Sequence, residues 1–385
     1  MRLGRPSLQT ELDRFFQSIS KSPDDFNSVS KSAFTQARRK LRPEAFIELT
    51  DSQLDYFQQN FPYKKDWLGK RVVAIDGSTV LLPSSTELKA HFDSRNIADH
   101  YNHLMASIST AYDVTNQLVL DAQIEPYGTS ELSMAECHLN KLTTNDILVM
   151  DRGYACLWLF SLLKKRNINF CIRLSTKWKD AIGIIKEGEC DIDWHPRNKS
   201  KQRNPKFDQY QIDASLSGLR LVCLELENGE KEVLATSLID REAFPLSKLK
   251  ELYHLRWQIE ENYKFLKHVV EIEHFSGKSV QAIKQDFYAR IFMANMTSMI
   301  SNELLHERVN AKNNNEHTYQ VNRTQAMVKV KDMTVQMFRA LHPKDWLIQL
   351  EKLLKRAVSI VRPKRKYPRN IKSSAIKKNM NYRGL

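Results

Sequence analysis

The sequence predicts an α/β fold: a mixed five-stranded sheet with flanking helices, a β-rich insertion, and helical N- and C-terminal regions. Three observations predict it. Two short apolar runs, RVVAIDG and DILVMDRGY, carry aspartates at their ends, Asp76 and Asp151. Between them lie two alternating runs joined by a short turn, then a helix-patterned stretch. Helical periodicity returns far downstream in YHLRWQIEENYKFLK, where charged side chains recur at helical spacing.

The elements follow in order. Residues 1–65 read as helical: TELDRFFQSI, then SKSAFTQARRKL opening after Ser30 or Ser32, then DSQLDYFQQNF with Asp51 as N-cap, the pieces separated by SPDD and RPEA. Arg38, Arg39, Lys40 and Arg42 make the middle helix basic, which suits either contact with DNA or a cover over the core. From residue 66 to 175 the grammar is that of strands. RVVAIDG ends on Asp76 and Gly77, HLMASISTAYDV and LVLDAQIEPY pair across a Thr-Asn-Gln turn, and SELSMAECHLNKL is a helix with Ser133 and Glu136 as a capping box. DILVMDRGY is the fourth strand, ACLWLFSLLKKR a helix and NFCIRLS the fifth strand. Strand, hairpin, helix, strand is the order of a ribonuclease-H-like core. A right-handed crossover then puts the fourth strand beside the first and brings Asp76 next to Asp151.

Residues 176–239 read as an inserted β-rich subdomain built from FDQYQIDAS, LRLVCLELE and KEVLATSL around the basic loop PRNKSKQRNPK. Helices of the second part of the core follow over residues 240–305, and a helical C-terminal region with a basic tail occupies 306–385.

Composition narrows the function. The chain has 385 residues, 42% apolar and 27% charged, enough for two or three cores. No window approaches a membrane span and the N-terminus has no signal-peptide stretch, so the expected location is the cytoplasm, with no membrane partner. Five scattered cysteines with no Cys-x-x-Cys pair indicate neither a zinc site nor a disulfide framework. The net charge of +14 equals the nine Lys/Arg of residues 361–385 plus the five of residues 195–206, two stretches without a single acid. Such blocks suit phosphate contact with counterion release. Phosphate-binding loops of the Gly-x4-Gly-Lys kind, paired metal-binding histidines and a Gly-x-Ser-x-Gly elbow are all missing from the sequence, which excludes the common ATPase and serine-hydrolase signatures.

Tyr253, Arg256, Glu260 and Lys267 stand at offsets of three, seven and fourteen, with Trp257 and Lys264 on the same side. At about 100° per residue the four fall on one helix face, while Leu252, Leu255, Ile259, Leu266 and Val270 form an apolar flank for packing. Two aspartates at adjacent strand ends plus Glu260 from a later helix supply the hard oxygen ligands that Mg²⁺ or Mn²⁺ prefers. A pair of such ions relieves the repulsion among the carboxylates and serves phosphoryl transfer on a nucleic-acid backbone. Each residue also has a plainer reading: Asp76-Gly77 as a turn, Asp151 as a helix cap, Trp257 as core, and Glu131 as a capping acid at a helix start.

Tyr253, Arg256, Glu260 and Lys267 match the Tyr-x2-Arg-x3-Glu-x6-Lys signature without a gap, and AIDGS and MDRGY resemble the companion aspartate motifs. Over about residues 70–300 the chain thus resembles the Asp-Asp-Glu transposases of bacterial insertion sequences, in the branch of insertion sequence four. The resemblance implies that Asp76, Asp151 and Glu260 are catalytic and bind two Mg²⁺ ions, with Mn²⁺ able to substitute. It implies that Tyr253, Arg256 and Lys267 contact DNA phosphates, with Lys264 beside them and Trp257 placed to stack on a displaced base. Cut-and-paste chemistry follows: nicking to free a 3′-OH, hairpin formation and opening, and strand transfer. The partners would be terminal inverted repeats and target DNA, engaged by a homodimer. Two alternatives share these residues, a nuclease that cuts without joining and a non-catalytic DNA-binding descendant.

Overall fold

The computed structural model describes residues 7–20, 28–61, 66–93, 103–175, 177–187, 190–196, 204–213, 215–226, 229–311, 319–339 and 342–360. The basic tail 361–385 and most of the basic loop around residue 200 lie outside them.

Three helices open the chain: α1 (Leu8–Ile19), α2 (Lys31–Arg38) and α3 (Glu44–Asn60). Ser30 caps α2, its side chain accepting from the Ala33 N–H at 3.2 Å. Asp51 is not a cap. α3 begins at Glu44 behind Pro43, since proline is compatible with a helix start, and Asp51 lies mid-helix with an ion pair to Lys141 at 2.7 Å. Arg38 turns inward and bonds Gln285, Ser276, the Ala282 carbonyl and Asp286, while Arg39, Lys40 and Arg42 are exposed. Within one basic cluster, one arginine anchors the helix and three face solvent.

The sheet begins with β1 (Arg71–Leu82), followed by α4 (Thr86–Phe92), β2 (Leu104–Asp113), β3 (Leu118–Pro126), α5 (Glu131–His138), β4 (Asp146–Met150), α6 (Leu157–Lys165) and β5 (Asn169–Arg173). β1 does not stop at Asp76-Gly77. It runs on to Leu82 because Gly77 pairs with Ser109 and Leu82 with Leu104 of β2, so the Asp-Gly pair is strand interior and not a turn. The hairpin turn after β2 is tied by Asp113, whose carboxylate accepts from the N–H groups of Thr115 and Asn116. The cap of α5 is Ser130, accepting from Ser133 N–H, and not the predicted Ser133–Glu136 box; Glu136 pairs instead with Lys206.

The chain then forms α7 (Lys179–Glu187), β6 (Cys190–Trp194), α8 (Lys206–Tyr210), β7 (Leu219–Glu225) and β8 (Lys231–Thr236). FDQYQIDAS was expected as strand, yet its first residues close a short helix in which Phe207 is buried. The five expected strands become eight, in the order β3-β2-β1-β4-β5-β8-β7-β6. Antiparallel pairing of β5 with β8, Cys171 opposite Thr236, carries the sheet from the core into the inserted strands. Arg220 of β7 is fully buried there, paired with Asp191 and donating to the carbonyls of Leu238 and Phe244.

The remaining helices are α9 (Leu246–His254), α10 (Trp257–His268), α11 (Val280–Ala311), α12 (Arg323–Arg339) and α13 (Pro343–Lys355), with a small β9 (Tyr319–Val321) and β10 (Val358–Ile360) ladder. Strand alternation divides the interior into two layers. Val72 and Ala74 point to one face, packed with Ile259, Leu266, Ile283 and Phe287 of α10 and α11. Val73 and Ile75 point to the other, packed with Leu159, Phe160 and Phe207. Among the described residues no helix is long and apolar enough to cross a membrane.

Candidate active site

Parallel pairing of β1 with β4 matches Ala74 to Val149. Asp76 and Asp151 each lie two residues further on, so they stand level at the end of the paired region, on the face covered by α10. The predicted crossover is therefore present. β1 continues past this point while β4 stops at Met150, and the sheet beside Asp76 is open at that level.

Asp76 is fixed from several directions. Its carbonyl accepts from Tyr263 Oη at 2.6 Å and Ser109 Oγ at 3.1 Å, and its own carboxylate accepts from Gly77 N–H at 2.9 Å. Ser109 is in turn bonded to buried His138, which pairs with Asp121 at 2.7 Å. Burial pushes the Asp76 carboxyl up to about 6; Gly77 N–H and the Arg256 charge pull it down, and the charges of Glu131 and Asp151 push it further up. The Asp151 side chain accepts from Arg152 N–H, capping the turn Arg152–Tyr154, so the plain capping reading holds for it beside its place at the site.

The charged stripe does not lie on one unbroken α-helix. α9 ends at His254 and α10 starts at Trp257, and three-residue steps bridge them: Arg256 N–H to the Tyr253 carbonyl at 3.1 Å and Ile259 N–H to the Arg256 carbonyl at 3.1 Å. A tighter turn advances each residue by about 120° in place of 100°. Tyr253, packed in the core with Leu249 and Leu252 of α9, and Arg256 are buried, 4% and 8% exposed, and do not line an open face as the helical wheel suggested. The Arg256 guanidinium bonds Glu260 at 3.0 Å, lies 5.8 Å from the centres of the Tyr253 and Trp257 rings, and is electrostatically coupled to Asp76 and Asp151. Its Nε and the Tyr253 hydroxyl are buried without a hydrogen-bond partner among the described residues. Leu252, Ile259, Leu266 and Val270 are buried as the apolar flank required.

Further along α10, Lys267 donates to Ser78 Oγ at 2.9 Å, and burial holds its ammonium below the ordinary value. Lys264 is exposed and paired with Glu261. Trp257 is 44% exposed, which removes the core reading for it. Thus α10 brings Tyr263 to Asp76 and Lys267 to Ser78, with Glu260 one turn before Tyr263. Among the described residues no three Asp, Glu, His or Cys side chains converge closely enough to hold a metal ion, Glu260 being turned to Arg256.

Glu131 and Glu136 begin a helix that the sequence allows to approach the site, with capping as the plainer reading; the Glu131 carboxyl lies against Gly77, where a Cβ would meet its Oε1 at 2.8 Å. Two other contributors are passed over by sequence reasoning. Tyr154 closes the run DRGY without any pattern to mark it, and Tyr263 is three residues after Glu260. The available signal is their spacing from the aspartate and glutamate motifs.

The transposase DDE domain family model matches residues 67–296, which hold Asp76, Asp151 and Glu260 together. The chain belongs to the transposase DDE domain family. Among its relatives, the transposase InsG for insertion sequence element IS4 of Escherichia coli (strain K12) is 22% identical over 70% of this chain and 60% of that protein. InsZ of the same strain is 25% identical over 37% of this chain and 48% of that protein. The chain therefore spans about half of the length of these curated relatives, 60% and 48%. The expected likeness to insertion-sequence transposases of the IS4 kind stands with these matches. Among solved structures, the cryo-EM structure of the piggyBac transposase synaptic complex with hairpin DNA matches at TM-score 0.41 and 10% identity, over 89% of this chain and 71% of that one. In this DDE-domain chain the family match spans the sheet from β1 through the inserted strands to the middle of α11.

Proposed function

We propose that this chain catalyses metal-dependent cut-and-paste DNA transposition of an insertion sequence, with Asp76, Asp151 and Glu260 as its catalytic acids. The observation that carries the reading is the seat of Arg256: one buried guanidinium coupled to all three acids, with a donor atom left unbonded. A buried cation among carboxylates with a spare donor is suited to a phosphodiester that enters beside them.

The donor set fits a divalent ion. All three candidate ligands are hard oxygens, and Asp76, whose charged form burial disfavours, gains most from a cation beside it. Asp76, Asp151 and Glu260 would hold Mg²⁺ or Mn²⁺, two ions per site, which when bound activate the attacking hydroxyl and stabilise the leaving 3′ oxygen. The chain's own residues do the positioning. Arg256 donates its free Nε to a phosphate oxygen, and Glu260 leaves the Arg256 Nη2 that holds it to reach the ion. Tyr253 supplies its unbonded hydroxyl, Lys267 and Lys264 contact flanking phosphates, and exposed Trp257 stacks on a displaced base. The sequence of steps is a nick that frees a 3′-OH, attack on the opposite strand to form a hairpin, hairpin opening by water, and joining to target DNA. The substrates are double-stranded terminal inverted repeats and target DNA, held by a homodimer. The exposed Arg39, Lys40 and Arg42 of the N-terminal region assist end binding.

The test is incubation of the purified chain with Mg²⁺ and the terminal DNA of its element. Joined products support the reading, and nicks that never lead to joining replace it with a nuclease. Asp76→Asn is expected to abolish cleavage and keep end binding; lost binding with folding intact would mean that Asp76 serves recognition.

A further inference from the structure

Beyond Asp76, Asp151 and Glu260, a second set of groups meets the same point from the opposite side of the sheet. Glu131 stands at the first turn of α5, and its carboxyl fills the space that a side chain at position 77 would occupy. Glycine is needed there for that reason, since the backbone at Gly77 is ordinary strand paired with Ser109. Glu136, one and a half turns along α5, points elsewhere and bonds Lys206 and Tyr210. Proximity to Asp76 is thus particular to Glu131.

Tyr154 supplies the independent observation. Its side chain is 2% exposed and its hydroxyl has no hydrogen-bond partner. The groups electrostatically coupled to that hydroxyl are Asp76, Glu131, Tyr263 and Asp151. A buried hydroxyl with carboxylates in its electrostatic surroundings, bonded to none of them among the described residues, is a donor position open to a small molecule that fills it. A molecule that accepts from the phenol and donates to a carboxylate fills it, and water is the smallest that does both.

We propose that Glu131 and Tyr154 are positioning residues of the catalytic centre, which hold between acceptor and donor a water of the hydration shell of a divalent ion at Asp76. This rests on the metal-dependent reading above. Glu131 adds a fourth negative charge near the ion and orients that water from the face opposite Arg256 and Glu260. Outer-shell partners of this kind tune affinity without ligating.

The experiment uses the full chain without DNA and Mn²⁺ alone as probe. Free Mn²⁺ is read by electron paramagnetic resonance, and solvent access to the bound ion by water-proton relaxation. Relative to the unaltered chain, Glu131→Gln is expected to weaken Mn²⁺ binding by about tenfold and Tyr154→Phe by about threefold or more. Gly77→Ala, which displaces the Glu131 carboxyl, is expected to behave as Glu131→Gln. Glu136→Gln is expected to bind as the unaltered chain does. Tyr154→Phe also changes the relaxation enhancement per bound ion while its metal-free melting temperature holds or rises, a combination that a purely structural role would not give. If Asp76→Asn loses Mn²⁺ binding but Glu131→Gln and Tyr154→Phe bind like the unaltered chain, the proposal is overturned and the metal site stands. If Asp76→Asn binds Mn²⁺ unchanged, the metal reading itself fails and takes the proposal with it.

Discussion

Replacing Asp76 by asparagine is expected to make the metal-free protein more stable at neutral pH, while it abolishes cleavage. The magnitude follows from the surroundings of the carboxyl, which burial displaces from 3.8 in the unfolded chain to about 6 in the folded one. At about 1.4 kcal/mol per tenfold change in proton affinity, this amounts to roughly 3 kcal/mol lost on keeping the group ionised in the fold. The folded state binds the proton more tightly, so between pH 4 and 6 it holds more protons than the unfolded chain, and stability falls as pH rises. The penalty is absent below pH 3.8, about half developed at pH 5 and complete above about 7. Partial solvent access and relaxation reduce it, so about 2 kcal/mol is the figure to test. Asparagine carries no charge and keeps an oxygen for the Gly77 N–H. For a chain of this size 1 kcal/mol moves the melting temperature by about 2 °C or less, so a gain of a few degrees at pH 7.5 should shrink by about half at pH 5. Differential scanning calorimetry with EDTA at the two pH values measures it. Equal melting temperatures for the two proteins at pH 7.5, or a gain that does not shrink at pH 5, would refute the argument that Asp76 is a strained anion awaiting a cation.

Arg256→Ala is expected to slow cleavage by about 10- to 100-fold, in line with about 1–3 kcal/mol for a charge-assisted phosphate contact, with single-turnover kinetics as the measure. Lys267→Ala should slow cleavage or hairpin formation over the same range of about 1–3 kcal/mol, and an unchanged rate would reduce its bond with Ser78 to a structural one. Arg220→Ala removes a fully buried side chain, leaves Asp191 with Arg241 alone at 3.4 Å and takes the donor from the Leu238 and Phe244 carbonyls, and is expected to cost about 3 kcal/mol in urea unfolding. Deleting residues 361–385 should lower the salt dependence of DNA binding by about 0.9 in log–log slope for each phosphate that the tail neutralises, with little change in sequence preference.

Much of the proposed site is readable in the sequence because its motifs are local. AIDGS, MDRGY and the Tyr-Arg-Glu-Lys spacing lie in short windows, and apolar runs ending on aspartates fix their own strands. Alternation of Val72 and Ala74 against Val73 and Ile75 assigns the faces, so Asp76 and Asp151 could be placed together from pattern and crossover handedness alone. The errors arose where long-range pairing outweighs local preference. An Asp-Gly pair reads as a turn until β2 hydrogen-bonds along its whole length. Asp51 reads as a cap until Pro43 sets the helix start about two turns earlier. The inserted strands read as separate until β8 pairs with β5.

The sequence by itself determined the core order, the aspartate motifs and the family signature, since each depends on residues near one another along the chain. Only the tertiary structure decided that Tyr253 and Arg256 are buried, because burial depends on how α9 packs against the sheet, as Tyr253 does together with Leu249 and Leu252. Only it decided that the Glu131 carboxyl lies against Gly77 and that Tyr154 is buried, because such contacts depend on where β4 ends and β1 continues, which no local window encodes.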